Sequence, residues 1–142
     1  MSIAIIANPN AGRGRGQRVI NTITSVISER RLDCELLCTS GPGHAIELAF
    51  KASQNHETIA VLGGDGTVNE VLRGMWQTKS TLAVIPGGTG NDCARGLGIP
   101  QEPVAALEAI LAGNTARMDV IKEKDRLFGI NSTIGFPSAV LE

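Results

Sequence analysis

Short apolar runs alternate with stretches of helical periodicity along most of the chain. The apolar runs predict β-strands, at residues 3–7, 33–39, 58–62 and 82–85. The stretches that carry apolar residues on one side predict helices, at residues 17–30, 44–54, 67–75, 92–95 and 104–111. Strands that alternate with helices favour an α/β fold, here an open parallel sheet with helices on both faces.

The pattern changes after residue 115, where the helical stretches end. Met118–Ile121 and Leu127–Ile134 are predicted to be two further strands, and the charged segment Lys122–Arg126 is expected to form the turn between them. We therefore predict a domain boundary near residue 116. Residues 1–116 would form the α/β domain, and residues 117–142 would begin a second domain.

A glycine-rich segment, Gly63–Thr67, joins the third predicted strand to the helix that follows it. Backbone N–H groups at such a turn, with the helix dipole behind them, form a site for an anion such as phosphate. Asp65 lies in the middle of this segment, where its carboxylate would repel a phosphate. Asp65 therefore indicates either that a divalent cation lies between its carboxylate and the phosphate, or that Asp65 itself accepts a proton there. The alternative is a structural turn in which Asp65 caps the helix at Thr67 or Val68.

Two further glycine-rich segments follow predicted strands in the same way, Asn8–Gly16 after the first strand and Pro86–Asp92 after the fourth. The carboxyl ends of parallel strands lie at one edge of a sheet, which is where open α/β sheets bind ligands. Three such junctions favour a phosphate-containing ligand over loop geometry alone. The classical nucleotide motifs are disfavoured, because the chain lacks the Gly-Lys pair of a P-loop and a complete G-x-G-x-x-G.

Composition argues against several classes of partner. A formal net charge of −1 over 142 residues argues against a general polyanion binder. Three Phe, one Trp and no Tyr leave no stacking platform for single-stranded nucleic acid. No apolar run approaches the roughly 18 residues of a transmembrane helix, and no signal peptide precedes the first strand. We therefore expect a cytoplasmic protein with no nucleic-acid partner and no transmembrane segment.

The three cysteines, Cys34, Cys38 and Cys93, are expected to be reduced residues of the core or the near-surface. Cys34 and Cys38 lie in one predicted strand, where their spacing in sequence separates them by roughly 13 Å. This distance excludes both a disulfide and a shared metal ion.

Four segments resemble the catalytic domain of the diacylglycerol kinase and sphingosine kinase superfamily, and its soluble bacterial lipid kinases in particular. They are NPNAGRGRG, TSGPGHAIELA, GGDGTVNEV and PGGTGNDCARGLGIP, in this order. The resemblance implies a fold like the N-terminal domain of NAD kinases and diacylglycerol kinases. The family's chains continue into a β-rich, lipid-side domain, so residues 117–142 are expected to be the truncated start of that domain.

The function that the resemblance implies is an ATP-dependent lipid kinase, which transfers the γ-phosphoryl group of Mg-ATP to a lipid hydroxyl at the membrane surface. The protein would then associate peripherally with a membrane, and this chain would be its nucleotide-binding part, inactive alone. Two alternatives stay open: an NAD kinase or sugar kinase of the G-G-D-G type, and a nucleotide-binding module without activity. The PGGTGND segment favours the lipid-kinase branch.

The resemblance also implies roles for individual residues. Asp65 would act at the γ-phosphate, with Mg²⁺ bound to it directly or through a water molecule. The Asp65→Asn variant should then lose turnover. It should lose little stability, because Asp65 is expected to lie in an exposed turn. The nucleotide-binding residues are expected to be Asn8, Thr39, Gly64, Gly66, Thr67, Gly88, Thr89 and Asn91.

Structural roles remain open for some of these polar residues. Asn8 can form an Asx turn, and Thr89 and Asn91 can serve the turn in which they lie. Glu70 is expected to hydrogen-bond a loop donor or to cap its helix. The apolar segment Leu127–Ile134 is expected to fold back on the first domain, to pair with a second copy of the chain or to be disordered. Of these we favour the pairing, which would make a homodimer.

Overall fold

A computed structural model of the protein describes residues 2–117, 119–124 and 126–128. The strands in these ranges are β1 Ile3–Ala7, β2 Cys34–Cys38, β3 Thr58–Gly63, β4 Thr81–Pro86, β5 Ile121–Glu123 and β6 Arg126–Phe128. The helices are α1 Arg15–Arg30, α2 His44–Ala52, α3 Asp65–Met75, α4 Asp92–Gly96 and α5 Pro103–Ala112. A short 3-10 turn, Ala11–Gly14, precedes α1.

The first four strands form one parallel sheet in the order β2-β1-β3-β4. Ile3 of β1 lies opposite Cys34 of β2 and opposite Thr58 of β3, and Thr58 lies opposite Thr81 of β4. Every residue of the central strands β1 and β3 is buried, as expected for strands that are covered on both faces. The parallel register places the carboxyl ends of all four strands at one edge of the sheet.

Helices cover both faces of this sheet, as predicted. On one face, Ala4 and Ile6 of β1 belong to a core that includes buried residues of α2, α3 and α4. On the other face, Ile3 and Ile5 belong to a core with residues of α1 and α5. The alternation along β1 follows from the two-residue period of a strand.

Helices α2 and α3 approach each other closely at Gly74. A Cβ atom at this position would collide with the main-chain carbonyl oxygen of Ile46 and would lie 2.8 Å from Cβ of Ala49. Only glycine fits at this crossing. The pair of helices is therefore held together by packing that is independent of the polar residues at their N-terminal ends.

Two helix boundaries differ from the predicted ones in a way that matters for the site. Helix α3 begins at Asp65 rather than at residue 67, because Gly64 with its extended backbone is the N-cap. Helix α1 begins at Arg15, directly after the 3-10 turn, rather than at residue 17. Both glycine segments are therefore shorter as loops than the sequence suggested.

The predicted strand at Met118–Ile121 and the predicted turn at Lys122–Arg126 are misplaced. The antiparallel pair β5–β6 instead matches Ile121 with Phe128 and Glu123 with Arg126. Lys124, which has a left-handed φ of 53°, lies in the tight turn between the two strands. Charged residues are no obstacle to pairing here, because a two-stranded hairpin buries little surface.

Part of the second predicted strand lies outside the described residues, namely residues 129–134, as does Met118. The homodimer that we expected from Leu127–Ile134 therefore stays a prediction, and so does the domain boundary near residue 116. In the described ranges the helices are too short or too polar to cross a membrane. The three cysteines are free, with Cys93 buried and Cys38 exposed, as predicted.

Candidate active site

The three glycine-rich segments meet at the carboxyl edge of the sheet, as their positions after strands predicted. The N–H of Asn8 donates to the carbonyl oxygen of Leu62 at 2.9 Å, just beyond the end of β1. The N–H of Gly87 donates to the carbonyl oxygen of Gly63 at 3.0 Å, just beyond β4. These bonds continue the hydrogen bonding of the sheet for one residue beyond β1 and β4. They therefore fix the position of the first residue of each loop.

The loops also pack directly against one another through glycine backbone. A Cβ atom at Gly88 would lie 2.5 Å from Cα of Gly64, and one at Gly12 would lie 2.6 Å from the carbonyl oxygen of Gly87. Both distances are too short for real atoms. Glycine at these positions is therefore required for the close approach of the three loops.

A cleft of about 320 Å³ opens beside these loops. It lies at the carboxyl ends of β1 and β2 and is bordered by the N-terminal parts of α2 and α3. Four of the predicted nucleotide-binding residues line it: Asn8, Thr39, Gly66 and Thr67. The structure thus brings together residues that are almost sixty positions apart in sequence.

Asn8 connects two sides of this cleft. Its Nδ2 donates to Oγ1 of Thr67 at 3.2 Å, while its Oδ1 accepts the N–H of Asn10 at 3.0 Å. The second bond is the Asx turn that we considered as the structural role of Asn8. The first bond links the end of β1 to the buried Thr67 on α3. The amide of Asn8 is therefore held in one orientation at the cleft.

Asp65 does not cap its own helix, so the structural alternative in the sequence analysis is wrong. Its Oδ2 accepts the N–H of Asp92 and its Oδ1 accepts the N–H of Cys93, each at 2.9 Å. These two donors are the first residues of α4. Asp65 is also half-buried rather than in an exposed turn, because loop packing brings the start of α4 against it.

The electrostatics at this junction keep Cys93 neutral. Burial, and to a smaller extent the negative charge of Asp65, raise the pKa of the Cys93 thiol to about 11. The thiol is therefore protonated near neutral pH and is a poor nucleophile. This finding agrees with the predicted packing role of Cys93, which is buried.

The loop after β4 is closed by Asn91. This residue has a left-handed φ of 54°. Its Oδ1 accepts the N–H of Gly88 at 2.9 Å and its Nδ2 donates to the carbonyl oxygen of Gly88 at 3.0 Å. The turn role of Asn91 is thus present. Thr89 is exposed beyond it, and both residues lie on the Asp65 side of the site rather than in the lining of the cleft.

The described residues contain no group of three or more His, Cys, Asp or Glu side chains that would hold a metal ion by themselves. Asp65 nevertheless suits Mg²⁺ as it is bound in phosphoryl-transfer sites, where one or two carboxylates act together with substrate phosphates. Each carboxylate oxygen of Asp65 accepts one N–H and keeps a second acceptor position. The donor chemistry of the site therefore fits a magnesium–nucleotide complex.

Several residues of the cleft were not predicted from the sequence. These are Asn10, Gly41, Pro42 and Ala45, together with Glu70, which was considered only as a structural hydrogen-bonding residue. Glu70 follows Gly66 by four positions on α3, so helical spacing alone places it on the same side of that helix. The other four lie in the segments NPNAGRGRG and TSGPGHAIELA, but whether they line the cleft depends on how the loop after β1 and helix α2 pack.

Comparisons with known proteins support one family. The family model described as the diacylglycerol kinase catalytic domain matches residues 2–123. The chain is 32% identical over 134 residues to a diacylglycerol kinase of Staphylococcus saprophyticus, in an alignment covering 92% of this chain and 44% of the relative. It is 31% identical over 126 residues to sphingosine kinase B of Dictyostelium discoideum, covering 83% of this chain and 16% of that protein.

Solved structures agree with these sequence relatives. A crystal structure of a diacylglycerol kinase from Bacillus anthracis superposes with a TM-score of 0.79 and 33% sequence identity. The superposition covers 89% of this chain and 45% of the other. The chain thus spans less than half the length of the relatives described here.

Proposed function

Because the chain belongs to the diacylglycerol kinase catalytic domain family, we propose that it is the nucleotide-binding part of an ATP-dependent lipid kinase. The complete protein would transfer the γ-phosphoryl group of Mg-ATP to a lipid hydroxyl. The observation that carries this proposal is the position of Asp65, fixed by two backbone N–H groups beside a polar cleft at the meeting point of three glycine loops.

In this proposal the nucleoside lies in the cleft, with Asn8 and Thr39 as hydrogen-bonding groups on one side of it. The phosphates extend towards the N-terminus of α3, where Gly64, Gly66 and Thr67 present backbone N–H groups. The helix dipole and unpaired N–H groups at a helix N-terminus favour a phosphate there. Gly88, Thr89 and Asn91 would border the phosphates from the neighbouring loop.

Asp65 is the residue that would hold Mg²⁺, directly or through a water molecule. The ion would neutralise charge on the phosphates as the phosphoryl group is transferred. The two N–H bonds keep the Asp65 carboxylate aimed at one place without help from the ligand. Such preorganisation matters for phosphoryl transfer, which depends mainly on positioning and charge neutralisation.

The lipid site would lie in the portion of the relatives that this chain does not span. We therefore expect the isolated chain to bind ATP weakly and to transfer no phosphoryl group at a useful rate. The complete protein would act at a membrane surface as a peripheral, cytoplasmic enzyme.

A paired assay tests the proposal. ATP is titrated into this chain with and without Mg²⁺, and the complete protein is incubated with labelled ATP and a panel of lipids, NAD and sugars. Lipid phosphorylation together with ATP binding by the chain is the expected result. Phosphorylation of NAD or a sugar with no lipid product would exclude the lipid assignment. Nucleotide binding with no product at all would favour a binding module.

A further inference from the structure

One side of the cleft is formed by residues 39–44, which we call the cleft wall. Its first residue is attached to the sheet, since the N–H of Thr39 donates to the carbonyl oxygen of Ala7 at 2.8 Å. Inside the wall, the N–H of Ser40 donates to Nδ1 of His44 at 2.9 Å. The segment between them, Gly41–Gly43, has no polar side chain. Its carbonyl oxygens are bonded, since Gly41 accepts the N–H of His44 and Gly43 accepts the N–H of Ile46, each at 3.2 Å.

Glu70 adds a bond to this segment from the other side of the cleft. Its Oε1 accepts the N–H of Gly43 at 2.9 Å. Gly43 is the N-cap of α2, has a left-handed φ of 83° and has no side chain with which to cap the helix. A carboxylate that accepts an N–H at a helix N-terminus makes a charge-assisted hydrogen bond and also interacts favourably with the helix dipole. Glu70 itself lines the cleft.

We propose that Glu70 is a positioning residue, which holds the cleft wall at the distance from α3 that the nucleotide requires. This inference rests on the proposed function, because it assumes that a nucleotide occupies the cleft. Glu70 would act through Gly43 rather than by touching the reacting atoms. Thr39, at the base of the wall, would then be presented to the ligand in a fixed orientation.

Packing elsewhere separates this role from a general structural one. The contact of α2 with α3 at Gly74 lies at the C-terminal end of α3, where Gly74 packs against Ile46 and Ala49 of α2, and it does not involve Glu70. Loss of the Glu70 side chain should therefore leave the two helices packed while the wall becomes mobile. A purely structural cap would lower stability and leave nucleotide affinity unchanged.

Three variants of this chain distinguish these roles. Glu70→Ala removes the acceptor, whereas Glu70→Gln keeps an oxygen that can accept the N–H of Gly43. Glu102→Ala is the matched control, because Glu102 caps α5 by accepting the N–H groups of Val104 and Ala105 at 3.1 and 2.7 Å, away from the cleft. ATP is titrated calorimetrically into each protein, and exchange of the Gly43 amide is followed by NMR.

We expect Glu70→Ala to weaken ATP binding about tenfold and to speed exchange of the Gly43 amide about tenfold. Glu70→Gln should stay within about threefold of the wild type in both measurements, and Glu102→Ala should match the wild type in both. Equal ATP affinity of Glu70→Ala and wild type would overturn the positioning role. Equal losses in Glu70→Gln and Glu70→Ala would overturn it too, since Gln keeps an acceptor for the N–H of Gly43 and the losses would then not follow that hydrogen bond. Absence of ATP binding by the wild type would overturn the proposed function together with this inference.

Discussion

The carboxylate of Asp65, the first residue of α3, accepts the backbone N–H of Cys93 in α4 at 2.9 Å. Each of these helices follows a glycine loop, so this one side chain joins the two loops. A second bond, from the N–H of Asp92, completes the connection. The residue that we propose to act at the γ-phosphate is therefore also the N-terminal cap of a neighbouring helix.

This double role changes what we expect of the Asp65→Asn variant. The two N–H groups bind different carboxylate oxygens, and Asn replaces one of these oxygens with an NH2 group, which donates and cannot accept an N–H. The free energy of unfolding should fall by about 1–2 kcal/mol, in contrast to the small loss expected from the sequence. Turnover of the complete protein should be lost as well. Chemical denaturation and a kinase assay measure the two effects.

Asp92→Asn is the control for this experiment, because Asp92 is exposed and its carboxylate lies 3.6 Å from Arg95 as a surface ion pair. Its loss should change stability by less than about 1 kcal/mol. Unchanged stability of Asp65→Asn would contradict the capping role, and near wild-type turnover would contradict the catalytic one.

Two glycine substitutions should have opposite effects on stability. A Cβ atom at Gly88 would lie 2.5 Å from the backbone of Gly64, so Gly88→Ala must push the loops apart and should destabilise the fold by about 1–3 kcal/mol. A Cβ atom at Gly66 meets open space, and alanine is the better helix former. Gly66→Ala should therefore stabilise the fold by about 0.5 kcal/mol. Thermal unfolding of both variants tests the close approach of the loops. Unfolding temperatures that shift equally, or in the reverse directions, would contradict it.

Asn91 offers a test of the loop after β4. Asn91→Gly keeps the left-handed backbone but removes both hydrogen bonds to Gly88, so it should cost about 1 kcal/mol of stability. Asn91→Ala also strains the backbone and should cost about 2 kcal/mol. Denaturant unfolding of the pair separates the two contributions. If both variants are as stable as the wild type, the side chain does not hold the loop, and a role in ligand binding alone would explain it.

The sheet, its helices and the meeting of three glycine loops could be predicted because they depend on local signals. An apolar run that leads into a glycine-rich segment, as at Ile3–Ala7 or Thr58–Gly63, indicates the end of a strand. This signal is local and does not depend on the rest of the chain. The parallel arrangement then places all such ends at one edge. Family resemblance added the expected roles of Asn8, Thr39 and Asp65, which remain predictions.

The contacts that shape the site could not be predicted, because they join residues far apart in sequence. The donors to Asp65 lie 27 and 28 positions away, and the donor to Glu70 lies 27 positions away. Each contact depends on how one helix N-terminus packs against another loop. At the other end of the chain, charged residues suggested a turn at Lys122–Arg126, yet most of that segment pairs as strand.

The last prediction concerns alkaline pH. Burial and the Asp65 charge raise the pKa of Cys93 from an ordinary value near 9 to about 11. The neutral thiol therefore contributes stability that is fully present below pH 9 and is lost as the pH rises towards 11, by up to roughly 3 kcal/mol. The chain has no Tyr that would titrate in this window. We compare the free energy of unfolding at pH 8 and at pH 10.5 by denaturant unfolding. Between these pH values Cys93→Ala should lose less stability than the wild type. Cys38→Ala is the control at an exposed site and should lose as much as the wild type. Equal losses in all three proteins would mean that Cys93 is not held neutral against Asp65.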